Sequence, residues 1–228
     1  MMEILFNEEI ARSYDQWAET PRGRRAYELE GELLLRLGRL APGQKILEVG
    51  CGTGAHLGIF LREGLEVFGL DVSPFMLRKA RSRLGNEIPL CLGDAGRLPF
   101  KDGSFETVML ITTLEFLSSP AEALREAIRC SRERVVLGVL NGFSFLGAAR
   151  TLKGKLRRGI YNRARFYTIW ELRRLVAEAA PGARVDWASV LVLPVSCQSR
   201  FPELERWLSF RRNPLGAFLG LAISAREV

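Results

Sequence analysis

Apolar and polar positions along this chain follow two periods, and the switches between them mark out its elements. Phe6, Ile10, Tyr14 and Trp17 lie three or four residues apart, which predicts a short amphipathic helix within residues 3–18. Pro21 and Gly23 read as its break. Residues 24–40 predict a second helix with Tyr27, Leu33, Leu34, Leu37 and Leu40 turned inward, and Pro42-Gly43 then turns the chain. Ile46, Leu47 and Val49 form a short apolar run, the mark of a buried strand. Residues 55–63 return to helical spacing through Leu57, Phe60 and Leu61, with Gly64 as a stop signal.

The alternation continues. Residues 65–70 predict a second strand, and Ser73-Pro74 pairs an N-cap with a proline at the first helical position. That helix should run to about Leu84, with Gly85 as its C-terminal cap. Strands are expected at 88–92, 105–111 and 135–140, with a helix between the last two that starts at Ser119-Pro120. Thr168-Ile169-Trp170-Glu171 is a capping box for a helix over 170–180, ended by Pro181-Gly182. Two more strands, 185–195 and 217–225, flank the excursion 196–214. Strands alternating with helices imply an α/β fold, a parallel sheet covered on both faces, whose ligands sit beyond the carboxyl ends of the strands. Gly50, Asp71, Asp94 and Thr112 all fall at such ends, although they are far apart in sequence.

Composition narrows the classes. At 228 residues the chain reads as one domain over 1–228 with room for a substantial core, and 47% hydrophobic with 26% charged residues is ordinary for a globular protein. The longest apolar run, near Ala217–Ile223, is far below the ~20 residues of a membrane span. No secretory signal is read in Met1–Glu9, and Cys51, Cys91, Cys130 and Cys197 are widely spaced, so no metal cluster or disulfide framework is expected and a cytoplasmic location is. The net charge of +7 is local. Residues 141–166 hold Arg150, Lys153, Lys155, Arg157, Arg158, Arg163 and Arg165 with no acidic residue.

The chemistry concentrates in Glu48-Val49-Gly50-Cys51-Gly52-Thr53-Gly54. A strand, a turn with glycine at alternate positions and a helix N-terminus make a site for a polar or anionic ligand group. Asp71, at the end of the next strand, suits a ribose diol. Two nucleotide-type cofactors fit this pattern. Gly50, Gly52, Ala55 and Asp71 satisfy the dinucleotide fingerprint, which points to NAD. Glu48, Gly54 and a second acidic site, Leu92-Gly93-Asp94-Ala95, point elsewhere.

The stretches ILEVGCGTG, VFGLDVSPFML and LGDAGRLPFKDGSFETVML, with the entrance Tyr14-Asp15-Gln16-Trp17, resemble the class I S-adenosylmethionine (SAM) methyltransferases of the small, UbiE-like type. The resemblance covers most of residues 10–140. It implies a Rossmann-like seven-stranded sheet of order 3-2-1-4-5-7-6 with its last strand antiparallel, SAM as cofactor and S-adenosylhomocysteine as product. The cofactor residues it implies are Glu48 (fixing the glycine loop and meeting the amino group), Gly50, Cys51, Gly52, Gly54, Asp71 (ribose), Val72 and Met76 (adenine faces), Asp94 and Ala95 (adenine edge) and Thr112. Acceptor-side candidates are Tyr14, Thr113 and Glu115, with residues 1–40 as a helical lid. Where many relatives carry a histidine near Leu114–Phe116, this chain has Glu115, so histidine-assisted deprotonation is not expected. His56 reads as a surface or helix-start residue, Cys51 as a small filler, Arg22 as a surface arginine. The family's Pro-Gly-Gly turn before the fifth strand is replaced by Cys130-Ser131-Arg132-Glu133.

Methyl transfer from a sulfonium needs alignment and water exclusion more than a base. No separate RNA-binding motif of a known type is visible, so a small-molecule acceptor is the leading expectation. Segment 141–166 reads as a basic insertion over the acceptor pocket, where Phe143, Phe145, Tyr161, Phe166 and Tyr167 interleave with the arginines. It would be a solvated face, a recognition element for an anionic acceptor, or a contact for RNA or an anionic surface. A non-catalytic SAM-binding protein is the remaining alternative.

Overall fold

The computed structural model describes residues 6–14, 16, 19–144, 163–193, 195–198 and 200–224. Trp17, Phe145, Tyr161 and the basic residues from Arg150 to Arg158 lie outside the described residues.

The elements follow in the order α1 (Glu8–Ser13), α2 (Pro21–Gly38), β1 (Lys45–Val49), α3 (Ala55–Arg62), β2 (Glu66–Asp71), α4 (Pro74–Leu84), β3 (Leu90–Leu92) and β4 (Phe105–Ile111). A 3₁₀ turn (Leu114–Phe116) precedes α5 (Pro120–Cys130) and β5 (Ser131–Leu140). Then come α6 (Ile169–Ala179), β6 (Val185–Val190), the short α7 (Val195–Gln198), α8 (Pro202–Leu208) and β7 (Phe218–Ser224). The seven strands form one sheet in the order β3-β2-β1-β4-β5-β7-β6, with β7 antiparallel to both of its neighbours. This is the order that the sequence resemblance implied.

Alternation along the strands divides the core. Leu47, Val49, Val108 and Leu110 face a cluster under α5 and α6, whereas Ile46, Met109 and Ile111 face one under α2 and α3. Both clusters are made of side chains almost wholly removed from water, as a parallel sheet covered on both faces requires.

Local chemistry sets the helix ends. Ser73 accepts a hydrogen bond from the N–H of Met76 at the start of α4, and Gly85 closes it at φ +85°. The capping box of α6 is present in both directions. Two expectations fail. Pro21 does not break a helix. It is the first residue of α2, behind the N-cap Thr20, whose hydroxyl accepts from the N–H of Gly23. Proline has no N–H to donate, and the first helical turn needs none. Ser119 makes no side-chain cap, although Pro120 does open α5. Where the Pro-Gly-Gly turn is missing, α5 runs directly into β5 at Ser131, and the β4–β5 pairing shifts register between Phe105 and Thr107.

The carboxyl ends of the parallel strands form one rim. Because β6 and β5 both pair antiparallel with β7, and Phe218 faces Leu140 on one side and Val190 on the other, the stretches after β5 and after β6 leave from that rim too.

Candidate active site

The glycine turn is tied to β2. The N–H groups of Gly50 and Cys51 both donate to the Leu70 carbonyl (2.7 and 3.0 Å), and the N–H of Gly52 donates to Asp71 Oδ2 at 2.8 Å. Asp71 Oδ1 accepts from the Ser73 N–H at 2.8 Å. Each oxygen therefore holds one backbone donor and keeps a lone pair for a ligand. Burial pushes the Asp71 carboxyl up from its usual range, and those backbone donors from Ser73 and Gly52 pull it back.

The glycines have different reasons to be glycine. A Cβ on Gly50 would come within 2.5 Å of the Thr113 hydroxyl, so its absence lets β1 and the segment after β4 close on one another. At Gly52, φ is +53° and a Cβ would meet nothing within 4 Å, because the turn there borders open space.

That space is a cavity of about 310 Å³. Gly50, Gly52, Asp71, Val72, Met76, Asp94, Ala95, Thr112, Thr113 and Tyr14 all line it, so the structure brings together residues spread over a hundred positions. Asp94 also accepts from the Gly96 N–H through Oδ1 (2.7 Å), an Asx-type turn that fixes its carboxylate at the wall. Thr113 lines the cavity while its hydroxyl donates to the Val49 carbonyl at 2.9 Å.

Four residues named from the sequence do not line it. Gly54 N-caps α3, and a Cβ there would strike Leu84. Cys51 is buried, with burial raising its thiol pKa, and packs as a filler. Glu48 is buried beneath the turn, on the same face of the sheet as Asp71 but short of the cavity. Its Oε1 lies 4.0 Å from His56 Nδ1, its Oε2 has no hydrogen-bond partner among the described residues, and burial followed by the nearby Asp71 charge holds its pKa well above the usual range. Glu115, also buried, accepts the Leu140 N–H on Oε1 (2.7 Å), and its Oε2 has no hydrogen-bond partner among the described residues. Desolvation raises its pKa to about 8, so at neutral pH it is mostly protonated.

His56 stands at a helix start, as the sequence reading allows, but it is not on the surface. It is the second residue of α3 but 6% exposed, its Nε2 is 3.3 Å from Glu30, and its ring sits 4.8 Å from that of Tyr27. Hydropathy patterning carries no sign of a long-range pair of this kind. Phe6, Phe116 and Leu117 also line the cavity and were missed. Phe6 meets Tyr14 and Phe116 edge to face at 6.2 and 5.1 Å, and its carbonyl accepts from Ser73 Oγ at 2.6 Å. The amphipathic spacing of Phe6 was legible; its partner across the rim was not.

The residues present fit an adenosyl group with a short tail. A carboxylate with free lone pairs stands at a Cβ-free turn, a second carboxylate lines the same cavity, and Met76 and Val72 add apolar surface to its lining. The volume is at the small end of ligand sites, ~300–1,000 Å³.

The sequence family described as "Methyltransferase domain" matches residues 47–137. A demethylmenaquinone methyltransferase of Renibacterium salmoninarum is 37% identical over 91 residues, 40% of this chain and 38% of that one. This chain thus spans well under half the length of that relative. An uncharacterised protein of Methanocaldococcus jannaschii is 30% identical over 173 residues, covering 75% of this chain and 78% of its own. Among solved structures, a "SAM-dependent methyltransferase, possible histamine N-methyltransferase" from Thermotoga maritima superposes with a TM-score of 0.76 and 27% identity, covering 97% of this chain and 98% of the other.

Proposed function

The chain belongs to the SAM-dependent methyltransferase family, and on that premise we propose that it transfers the methyl group of SAM to a small-molecule acceptor by in-line displacement. When bound, SAM supplies a methyl group on a sulfonium, so the acceptor's lone pair forms the new bond as carbon–sulfur cleaves and the electron pair stays on sulfur.

In this reading Asp71 takes the ribose diol, and Asp94 with the backbone at Ala95 takes the adenine edge. Met76 and Val72 hold its faces, and Gly52 lets the backbone come close. Tyr14, Phe6 and Phe116 cover the acceptor side and exclude water, which supplies the alignment and desolvation such a reaction needs. Residues 1–40 act as the lid within a single domain in this reading, while most of segment 141–166 lies outside the described residues. The observation that carries the proposal is the Asp71 carboxylate, fixed by the Gly52 N–H at 2.8 Å and bordering the same cavity as Asp94.

The demethylmenaquinone and histamine relatives suggest quinol and amine acceptors as the first classes to try. The test is formation of S-adenosylhomocysteine from methyl-labelled SAM with panels of quinols, phenols, amines and carboxylic acids, and then with a small-molecule extract. Acceptor-dependent turnover is expected. SAM binding with no turnover in any panel or extract would leave a non-catalytic SAM-binding protein and overturn the catalytic reading.

A further inference from the structure

The excursion between β6 and β7 carries a helix that is anchored on its inner side and apolar on its outer side. Glu205, 4% exposed, accepts the N–H groups of Val192 (2.9 Å) and Leu193 (2.7 Å) and the hydroxyl of Ser209 (2.8 Å). One buried carboxylate thus ties α8 to the end of β6. Phe201 at its N-cap, Leu204 and Trp207 follow at intervals of three and are 49%, 45% and 59% exposed. A helix merely covering the sheet would turn such side chains inward.

The charge around these side chains is positive. Arg200, Arg206, Arg211 and Arg212, all exposed, lie within or next to the helix in sequence, where Glu203 is the one exposed acidic residue. Among the described residues, neither Arg200 nor Arg206 has a carboxylate partner. Arg212 pairs with Asp186, and the Arg211 guanidinium lies 4.8 Å over the Trp207 ring. Asn141 binds this excursion to the stretch after β5, its side-chain NH₂ donating to the Pro214 and Gly216 carbonyls.

We propose that α8 and its flanking arginines dock this protein onto an anionic lipid surface, with Phe201, Leu204 and Trp207 entering the interface and the arginines meeting the headgroups. Bulky apolar residues ringed by arginines, with Trp at the boundary, are the composition of an in-plane membrane anchor. The geometry favours lipid over RNA. Bases stack on open aromatic faces, whereas one face of Trp207 already carries Arg211 and Leu204 has no face to offer. Because α8 stands at the end of β6, docking would bring the rim that bears the cavity to the lipid surface. The inference does not depend on methyl transfer.

Co-sedimentation of the full chain with vesicles of phosphatidylcholine alone, and of phosphatidylcholine mixed with phosphatidylglycerol, tests it. Binding to the mixed vesicles is expected, weakening with added salt. The triple variant Phe201→Ser, Leu204→Ser, Trp207→Ser should lose about tenfold or more of that binding, and Arg200→Glu with Arg206→Glu should remove the preference for anionic lipid. SAM binding and the melting temperature should stay as in the wild type, since these side chains lie outside cavity and core. Three results would overturn the proposal: no sedimentation with either vesicle, equal sedimentation of wild type and the triple variant, or retention on single-stranded RNA, but not on vesicles, that the same variants abolish.

Discussion

Two buried carboxyl groups at the same rim, Asp71 after β2 and Glu115 after β4, are treated in opposite ways. Asp71 has a backbone donor on each oxygen, one from the glycine turn and one from the helix that follows, and it borders the cavity. Its position is fixed before any ligand arrives, which is the arrangement that lets a carboxylate bind without reorganising. Glu115 has one donor, an orphan oxygen and a pKa of about 8. The β1–β2 side holds its carboxylate by backbone donors at the cavity wall. The β4–β5 side keeps one neutral and turned into the protein. A buried acid is therefore not by itself a mark of the site; its donors and its line to the cavity are.

The comparison breaks most sharply at Asp71. Asp71→Ala should weaken SAM affinity by about a hundredfold, the loss expected for charge-assisted hydrogen bonds to a ribose. Calorimetry measures this, on protein whose circular dichroism shows the fold retained, and an unchanged affinity would remove Asp71 from the site. Glu205→Ala makes the next largest change, and on stability instead of binding. It leaves the N–H groups of Val192 and Leu193 without an acceptor, at a cost of roughly 2–3 kcal/mol in chemical denaturation, with SAM affinity unchanged.

Glu115 sharpens the contrast through pH. Its folded pKa is raised above the unfolded value, so its contribution to stability is full below about pH 4.5 and is lost as pH rises through about 8. Across that window the slope approaches roughly 1.4 kcal/mol per pH unit. Glu115→Gln keeps an acceptor for the Leu140 N–H, and the difference between wild type and variant in denaturant midpoint against pH should show this slope. A pH-independent difference would contradict the assignment of a neutral Glu115. The smallest effect belongs to Thr168→Ala, which removes one side of the α6 capping box and should cost about 1 kcal/mol in thermal melts without touching binding.

Local signals accounted for most of the fold. Phe105–Ile111 forms a strand over the span its apolar run gave, and Ser73-Pro74, Gly85 and the Thr168–Glu171 box ended or opened helices as their chemistry demands. The glycine turn, Asp71 and Asp94 converge on one cavity because all stand at strand carboxyl ends, a position readable from strand order. What stayed hidden depends on partners distant in sequence. Glu48 and Asp71 lie on the same face of neighbouring strands, and only Asp71, nearer the rim, lines the cavity; Glu115 shows itself through the Leu140 N–H of β5. His56 looks exposed until Glu30 from α2 is set beside it. Pro21 misled because its meaning rests on Thr20 acting as a cap, and the sequence shows α8 only as part of a basic excursion, with no sign of Glu205 holding it down.

The central claim is that the cavity bounded by Gly52, Asp71 and Asp94 receives adenosylmethionine. Isothermal titration of the wild-type chain with SAM, S-adenosylhomocysteine and NAD tests it most directly. The account predicts saturable binding of the first two at one site per chain and none of NAD; saturable NAD binding without SAM binding would contradict it.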